Sequence, residues 1–306
     1  MKEIFNYKDD IEGKIGIGKL PKNLENIINS ISKKYNYLIP NKNASTYHTW
    51  FCNMSPSIKK KVRKIQNNKF WRKLCDGNTK CRIFNTPEVD ELYYSNPSNH
   101  LDKINLYGTV SNYGIHQDGI YNFTGIKYYR VIIGLTNGND NVITYFNKFD
   151  VGKKINKGDY IVFDFDKSTH QVIKDKEKET PRILLKLHFL VCENAEHSQE
   201  YIDFIKQLYL YYEFITRYIV KIGTDPETYP QFFIGLACQY FYTSSVKYVV
   251  LFLSILSVFC LNYFYNVELV FSNIFFILKY IFVSLSSVYL LVVLFYWLRY
   301  KTFMIR

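Results

Sequence analysis

Apolar and polar positions change rhythm three times along this chain of 306 residues. Over the first hundred residues, short helical patterns alternate with turn punctuation. Residues 24–34 are amphipathic, Ser55-Pro56 reads as a helix start, and residues 85–99 carry two prolines. A helical support layer is predicted there. From residue 101 to 191 the period shortens to β-type runs at 104–110, 128–135, 141–149, 159–165 and 183–191, separated by Gly-containing turns at 136–140 and 156–158. Many short strands so punctuated predict an antiparallel sandwich or barrel. Residues 200–222 return to helical spacing, with Ile202, Ile205, Leu208, Tyr209, Tyr212 and Ile215 on the apolar positions. The stretch 223–230 reads as a linker in which Thr224 or Asp225 caps a following helix.

The third change is the largest. Between Gln231 and Leu298 only Lys247, Glu268 and Lys279 are charged, whereas residues 1–200 hold 31 of the 39 Lys and Arg and 22 of the 27 Asp and Glu. Residues 248–267 and 280–298 each run without a charge for long enough to cross a hydrocarbon core, which takes roughly 20 apolar residues. A buried hairpin of a soluble domain is the competing reading, but core helices of that length usually keep a polar face. A mean hydropathy of -0.14 therefore averages a polar head and an apolar tail. The predicted divisions are a helical and mixed support region at 1–100, a β core at 101–192, a helix and linker at 193–230, and a membrane region with about two transmembrane helices at 231–306. Lys247 before the hairpin and Arg299, Lys301 and Arg306 after it put both ends, and the head, on the cytosolic side by the positive-inside bias.

Charge sharpens one segment. Of a net +12, residues 59–82 supply ten cations against Asp76 alone, and Ile58, Val62, Ile65, Phe70 and Leu74 lie near helical spacing, which predicts an amphipathic helix with a basic outer face. A solvated face, contact with anionic lipid and contact with nucleic acid are the three readings, nucleic acid ranking last because an apolar tail follows. The six cysteines are scattered. Cys75 and Cys81 are six apart and match no common zinc spacing, so all six are expected as thiols. The start MKEIFNYKDD lacks an apolar h-region, so no cleaved signal peptide is predicted.

Candidate chemistry sits in the β-rich stretch. In His116-Gln-Asp118, residues i and i+2 of an extended chain point the same way, so an imidazole and a carboxylate can face one ion. Alone the pattern is weak, since an exposed strand end explains it equally. His170 follows 54 residues later, behind a Lys-Gly-Asp turn and a strand, and two His plus one carboxylate is the non-haem Fe(II) donor set. Arg182 opens the next strand, where a guanidinium can hold a dicarboxylate bidentately.

This order of HxD, about fifty residues, Lys-Gly-Asp turn and strand, His, then Arg resembles the Fe(II)/2-oxoglutarate dioxygenases of the double-stranded β-helix (jelly-roll) fold. The prolyl-hydroxylase-like branch is the nearest, through Tyr107, the strand beginning Tyr129-Arg-Val-Ile, and Ile143-Thr-Tyr-Phe146. The stretch 163–170 also resembles the distal-His strand of aspartyl/asparaginyl β-hydroxylases, a branch that typically lacks the HxD carboxylate present here. The likeness spans residues 101–191.

It implies a mainly β, jelly-roll core with His116, Asp118 and His170 as iron ligands. Arg182 would anchor the distal carboxylate of 2-oxoglutarate, with Tyr107 as a second partner, Tyr129 a weaker one and Lys186 the fallback. It further implies Fe(II), 2-oxoglutarate and O2 as cofactor and co-substrates, ascorbate as an aid, and hydroxylation of a protein side chain such as Pro, Asp, Asn or Lys, or of another small target, with lipid-like substrates kept open by the apolar tail. Two departures stand out. The Gly-Gly pair of the branch is missing before Thr144, and the loop at 174–180 is charged and long. His188 is expected as a satisfied sheet residue, and His48, His100 and His197 as surface or loop positions. The alternatives are a catalytically silent, membrane-anchored interaction or virion protein on the same fold, and a nucleic-acid-modifying dioxygenase using residues 59–82 as its phosphate track.

Overall fold

The computed structural model describes residues 3–35, 46–95, 115–137, 142–174, 182–193 and 197–224, with positions 287 and 290. The chain divides into two compact units, Met1–Thr216 and Arg217–Arg306, and the fold below is that of the first. Among the described residues no helix is long and apolar enough to cross a membrane. The two predicted spans lie outside those residues apart from positions 287 and 290, as do the strand predicted at 104–110, Tyr107 and His100.

Eight strands build one antiparallel sheet. In spatial order they are β1 (Tyr7–Asp9), β2 (Gly13–Lys19), β9 (Asp159–Asp164), β6 (Ile126–Gly134), β11 (Arg182–Cys192), β5 (Glu91–Ser95) and β3 (Thr46–Trp50), with β4 (Arg82–Asn85) paired to the far end of β11. A second antiparallel sheet holds β10 (Gln171–Lys174), β7 (Val142–Phe146) and β8 (Val151–Lys154). The first hundred residues thus do more than support: β1 to β5 are part of the large sheet. Sequence reasoning passed over them because runs such as Glu91–Ser95 are short and lie among prolines and turn residues.

Strand alternation decides what each face of the large sheet carries. Tyr129, Val131 and Ile133 of β6 and Ile183, Leu185, Leu187 and Phe189 of β11 point to one side. There they meet Leu24, Ile28, Ile31 and Tyr35 of α1 (Lys22–Tyr35) and Ile58, Val62 and Ile65 of α2 (Pro56–Gln66). A 14-residue helix is marginal alone, but four buried side chains at about 1.5–3 kcal/mol each outweigh its weak propensity. On the other side Ile15, Tyr93, Ile132, Ile161, Phe163 and Leu184 pack with Phe146 of the small sheet and with Ile155. With both faces covered, β6 and β9 are apolar almost throughout instead of alternating.

The basic helix is shorter than its apolar spacing predicts. α2 ends at Gln66, and the Asn68 side chain accepts the Phe70 N–H to start a separate 3-10 turn over Lys69–Cys75. That turn corrects the cysteine expectation. Asp76 (φ 50°) and Gly77 (φ 84°) reverse the chain, bringing Cys75 and Cys81 to 5.7 Å between Cα atoms, and the two form a disulfide. The helix predicted at 200–222 is α3 (Gln199–Thr224). Up to Thr216 its inner face, with Ile202, Ile205, Tyr209 and Tyr212 buried, covers the Tyr128 and Arg130 end of the large sheet's inner side.

Candidate metal centre

His116 and His170 form an isolated antiparallel pair just outside the regular strands, each backbone N–H donating to the other's carbonyl at 2.9 and 2.8 Å. Residues directly opposite in such a pair project to the same side, and the two imidazoles stand 4.4 Å apart between centroids. Asp118, two residues along, turns to the same side. The segment that bears it fits closely against the residues that follow β9. Gly119 donates its N–H to the Phe165 carbonyl at 2.7 Å, and a Cβ at Gly119 would lie 2.1 Å from Asp166 Oδ1. Only glycine fits there.

The result is a buried cluster. His116, Asp118 and His170 are each 4% exposed, and one donor atom from each lies within 4.8 Å of the others. His116 Nε2 is 3.6 Å from Asp118 Oδ1, and His170 Nε2 is 3.8 Å from Oδ2. Neighbouring ligands of an ion bound at about 2.1 Å are roughly 3 Å apart in octahedral geometry, so a bound ion would draw these donors closer together. His170 Nδ1 lies 3.2 Å from the Ser168 carbonyl; donating there leaves Nε2 as the free acceptor, as in metal sites where a second bond fixes the ring tautomer. Burial, with His116 alongside, lowers the His170 pKa from 6.5 to about 3, so the ring is neutral and its lone pair available. Phe163 and Phe146 wall the ring at 4.8 and 5.6 Å.

Behind Asp118 sits a polar network that sequence reasoning missed. Arg130 donates from Nη1 to Asp118 Oδ2 at 2.6 Å, from Nη2 to Glu213 Oε1 of α3 at 2.6 Å, and from Nε to His188 Nε2 at 2.9 Å, with its guanidinium over the Phe165 ring. His188 Nδ1 faces Asp90 Oδ1 at 3.3 Å, and Asp90 Oδ2 accepts from Gln66 at 2.6 Å. Tyr212 donates to the Asp118 carbonyl at 2.9 Å. Burial pushes the Asp118 carboxyl up, but the Arg130 guanidinium beside it opposes this, and the carboxyl is held well below the usual range. Asp118 is therefore a fixed anion with one oxygen engaged by Arg130. A signal was present: Arg130 is the one cation wholly inside the apolar run of β6.

The remaining candidates separate cleanly. Arg182 is 4% exposed on the inner side of β11, the side of Leu184, and its Nε has no hydrogen-bond partner among the described residues. Lys186 is committed to Glu91, with Nζ 2.6 Å from Oε1 and 4.1 Å from the Tyr93 ring centre. Tyr129 points to the helical side against Phe5, so it is not a partner for a ligand at this centre; Tyr128, one residue earlier, faces inward. His48 lies in β3, its Nδ1 2.8 Å from Glu91 Oε2, and not in a loop. His188 is the satisfied sheet residue expected, and His197 sits in the loop before α3. Asp164 caps the turn that follows β9 by accepting the Asp166 and Lys167 N–H groups.

The site defines a class by its donors: two imidazoles and a carboxylate on one face of a β-sheet protein, with a buried guanidinium on the same sheet whose Nε has no partner among the described residues. No family model matches the chain, and no curated protein matches it. Among solved structures it is similar to the viral collagen prolyl hydroxylase vCPH from Paramecium Bursaria Chlorella virus-1 in its 2OG complex. That match has 14% identity and a TM-score of 0.35, covering 60% of this chain and 99% of that one. It is also similar to a Pseudomonas putida prolyl-4-hydroxylase at 10% identity and TM-score 0.37, covering 57% and 91%. A third is HygX from Streptomyces hygroscopicus with nickel and 2-oxoglutarate bound, at 10% identity and TM-score 0.36, covering 57% and 81%. At such identities and scores, function has to be argued from this chain's own residues.

Proposed function

We propose that this chain is a membrane-anchored, non-haem Fe(II)- and 2-oxoglutarate-dependent dioxygenase that hydroxylates a protein side chain. The observation that carries the reading is the buried convergence of His116, Asp118 and His170. Two neutral-capable nitrogens and one carboxylate leave the other positions of an Fe(II) ion for co-substrate and O2. When bound, that ion with 2-oxoglutarate supplies the oxidation, releasing succinate and CO2 as one oxygen atom enters the substrate.

The protein's own part is orientation and exclusion of water. Ser168 holds the His170 ring through Nδ1, Arg130 and Tyr212 fix Asp118, and Phe146, Phe163 and Phe165 keep the surroundings apolar. Arg182 is the residue to receive a carboxylate of 2-oxoglutarate, because a buried Nε without a partner costs free energy that an anion would recover. The anchor in this reading is the apolar stretch at 231–298. The test is succinate formation from 2-oxoglutarate by the full chain with Fe(II), O2 and ascorbate, alongside His116→Ala and Arg182→Met. Turnover that needs His116, with Arg182→Met raising the apparent KM for 2-oxoglutarate, supports the reading. No metal binding and no dependence on His116 refutes it and leaves the silent interaction protein.

A further inference from the structure

The basic segment has a place in the fold, and its place says what it meets. From Phe51 to Cys75 the sequence has eight cations, at Lys59, Lys60, Lys61, Arg63, Lys64, Lys69, Arg72 and Lys73, and no Asp or Glu. α1, which packs on α2, adds exposed Lys33 and Lys34 at its C-terminal end, where Lys34 reaches Ser57 and Lys61 reaches Ser30. None of these ten forms an ion pair with an acid among the described residues; the nearby Asp76 is taken by Lys8 and Lys14. α2 turns Ile58, Val62 and Ile65 to the sheet, so Lys60, Arg63 and Lys64 are exposed on its outer side.

That outer side lies across the large sheet from the metal centre. The β6 residues beneath the helices are Val131 and Ile133, whereas Arg130, between Tyr129 and Val131 in sequence, reaches Asp118 on the other face. A polyanion on α2 is therefore not presented to His116 and His170. A nucleic-acid substrate would need its phosphate track beside the reacting site, and single strands would need exposed rings for stacking. The rings nearby are largely withdrawn: Phe51 and Trp71 are 7% and 2% exposed, and the partly buried Phe70 packs edge-on against Trp71 and Tyr160. The same chain carries a 231–298 stretch with three charges, which fits a lipid phase.

We infer that the α1/α2 face is an electrostatic docking surface for an anionic membrane, seating the head with its metal centre on the side of the sheet turned away from the lipid. The inference does not depend on the oxygenase reading, and it places the substrate in solution or on another protein. Each cation close to an anionic surface is worth about fivefold in partitioning.

The experiment is flotation of the full-length chain with phosphatidylcholine vesicles and with vesicles containing about 30 mol% phosphatidylserine. The apolar tail contributes to both, so the difference reads the basic face. Wild type is expected to need at least thirtyfold less lipid on the anionic vesicles, and about 0.5 M salt to remove that advantage. The variant Lys60→Gln/Arg63→Gln/Lys64→Gln/Arg72→Gln, all exposed positions, is expected to lose the advantage while keeping the phosphatidylcholine value. Equal partitioning of wild type on the two vesicles overturns the inference, and so does an anionic preference that the variant retains. A duplex or single-stranded oligonucleotide that displaces wild type from the anionic vesicles, with binding lost in the variant, overturns it in favour of nucleic acid. The salt arm on wild type stands even where the variant does not fold.

Discussion

Replacing Arg130 by Met is the sharpest perturbation of the centre. Arg130 is 7% exposed, and its guanidinium serves two carboxylates and one imidazole, at 2.6, 2.6 and 2.9 Å. Methionine keeps much of the volume over Phe165 and removes every donor. Asp118 and Glu213 are then left buried without their shared cation. Breaking one buried pair by deleting a partner costs about 3–5 kcal/mol, and two pairs that share one guanidinium do not add. A loss of about 4 kcal/mol at neutral pH is expected, measured by urea unfolding followed by near-UV circular dichroism on the full chain.

Three features distinguish this from loss of packing. The deficit narrows as pH falls toward about 4, because without Arg130 the Asp118 carboxyl rises and protonates, whereas in wild type it remains charged. Adding Glu213→Gln to Arg130→Met removes one of the two carboxylates that shared the guanidinium and recovers part of the loss. Saturation with a divalent ion also recovers part of it, since the ion takes over as the counter-charge of Asp118. A pH-independent deficit below about 1 kcal/mol that Glu213→Gln does not change would refute the network as drawn.

Other consequences follow from the same contacts. His170 has a folded pKa of about 3 against 6.5 when unfolded, so its contribution is present above pH 6.5 and is lost as the unfolded chain takes up a proton below it. At pH 4.5 the metal-free protein should have lost about 3 kcal/mol through this group, and His170→Asn should flatten that part of the urea midpoint against pH; an unchanged slope contradicts the assignment. Tyr212→Phe deletes the bond to the Asp118 carbonyl, with an expected stability cost of about 1 kcal/mol and roughly tenfold weaker Mn(II) binding by calorimetry; equal affinity would show that α3 does not position the ligand. Reducing Cys75–Cys81 opens a short loop and should lower stability by roughly 2 kcal/mol, read as a shift in Tm with and without reductant.

What the sequence shows of this molecule follows the range of each signal. Strand period and turn glycines mark β6, β7, β9 and β11 within a few residues, because those signals are local. The HxD pair is legible for the same reason, since i and i+2 share a face wherever the chain is extended. What brings His170 to His116 is a backbone pair between residues 54 apart, and only the known order of motifs in a family suggests it. The choice between Tyr128 and Tyr129 turns on which side of a doubly covered strand is the inner one, and a strand apolar on both sides conceals that. The Arg130 partners are harder still, because Glu213 is 83 residues away on a helix whose polar and apolar positions read equally well as a solvated face.

The cation wholly inside the apolar run of β6 can be read as a general signal. A charged side chain inside a strand covered on both faces has to be neutralised from within, so Arg130 by itself requires at least one buried acid nearby. Asp118 and Glu213 are those acids, and only one of the two belongs to the HxD motif. The second makes the balance informative. One guanidinium serves two carboxylates, so Asp118 is only partly offset by Arg130, and a divalent ion beside it relieves the remainder where a neutral ligand would not. On this argument Glu213 is part of the reason the cluster favours a cation. Glu213→Gln should weaken divalent-metal binding although its side chain reaches the site only through Arg130, and calorimetry showing unchanged affinity would break that chain of inference.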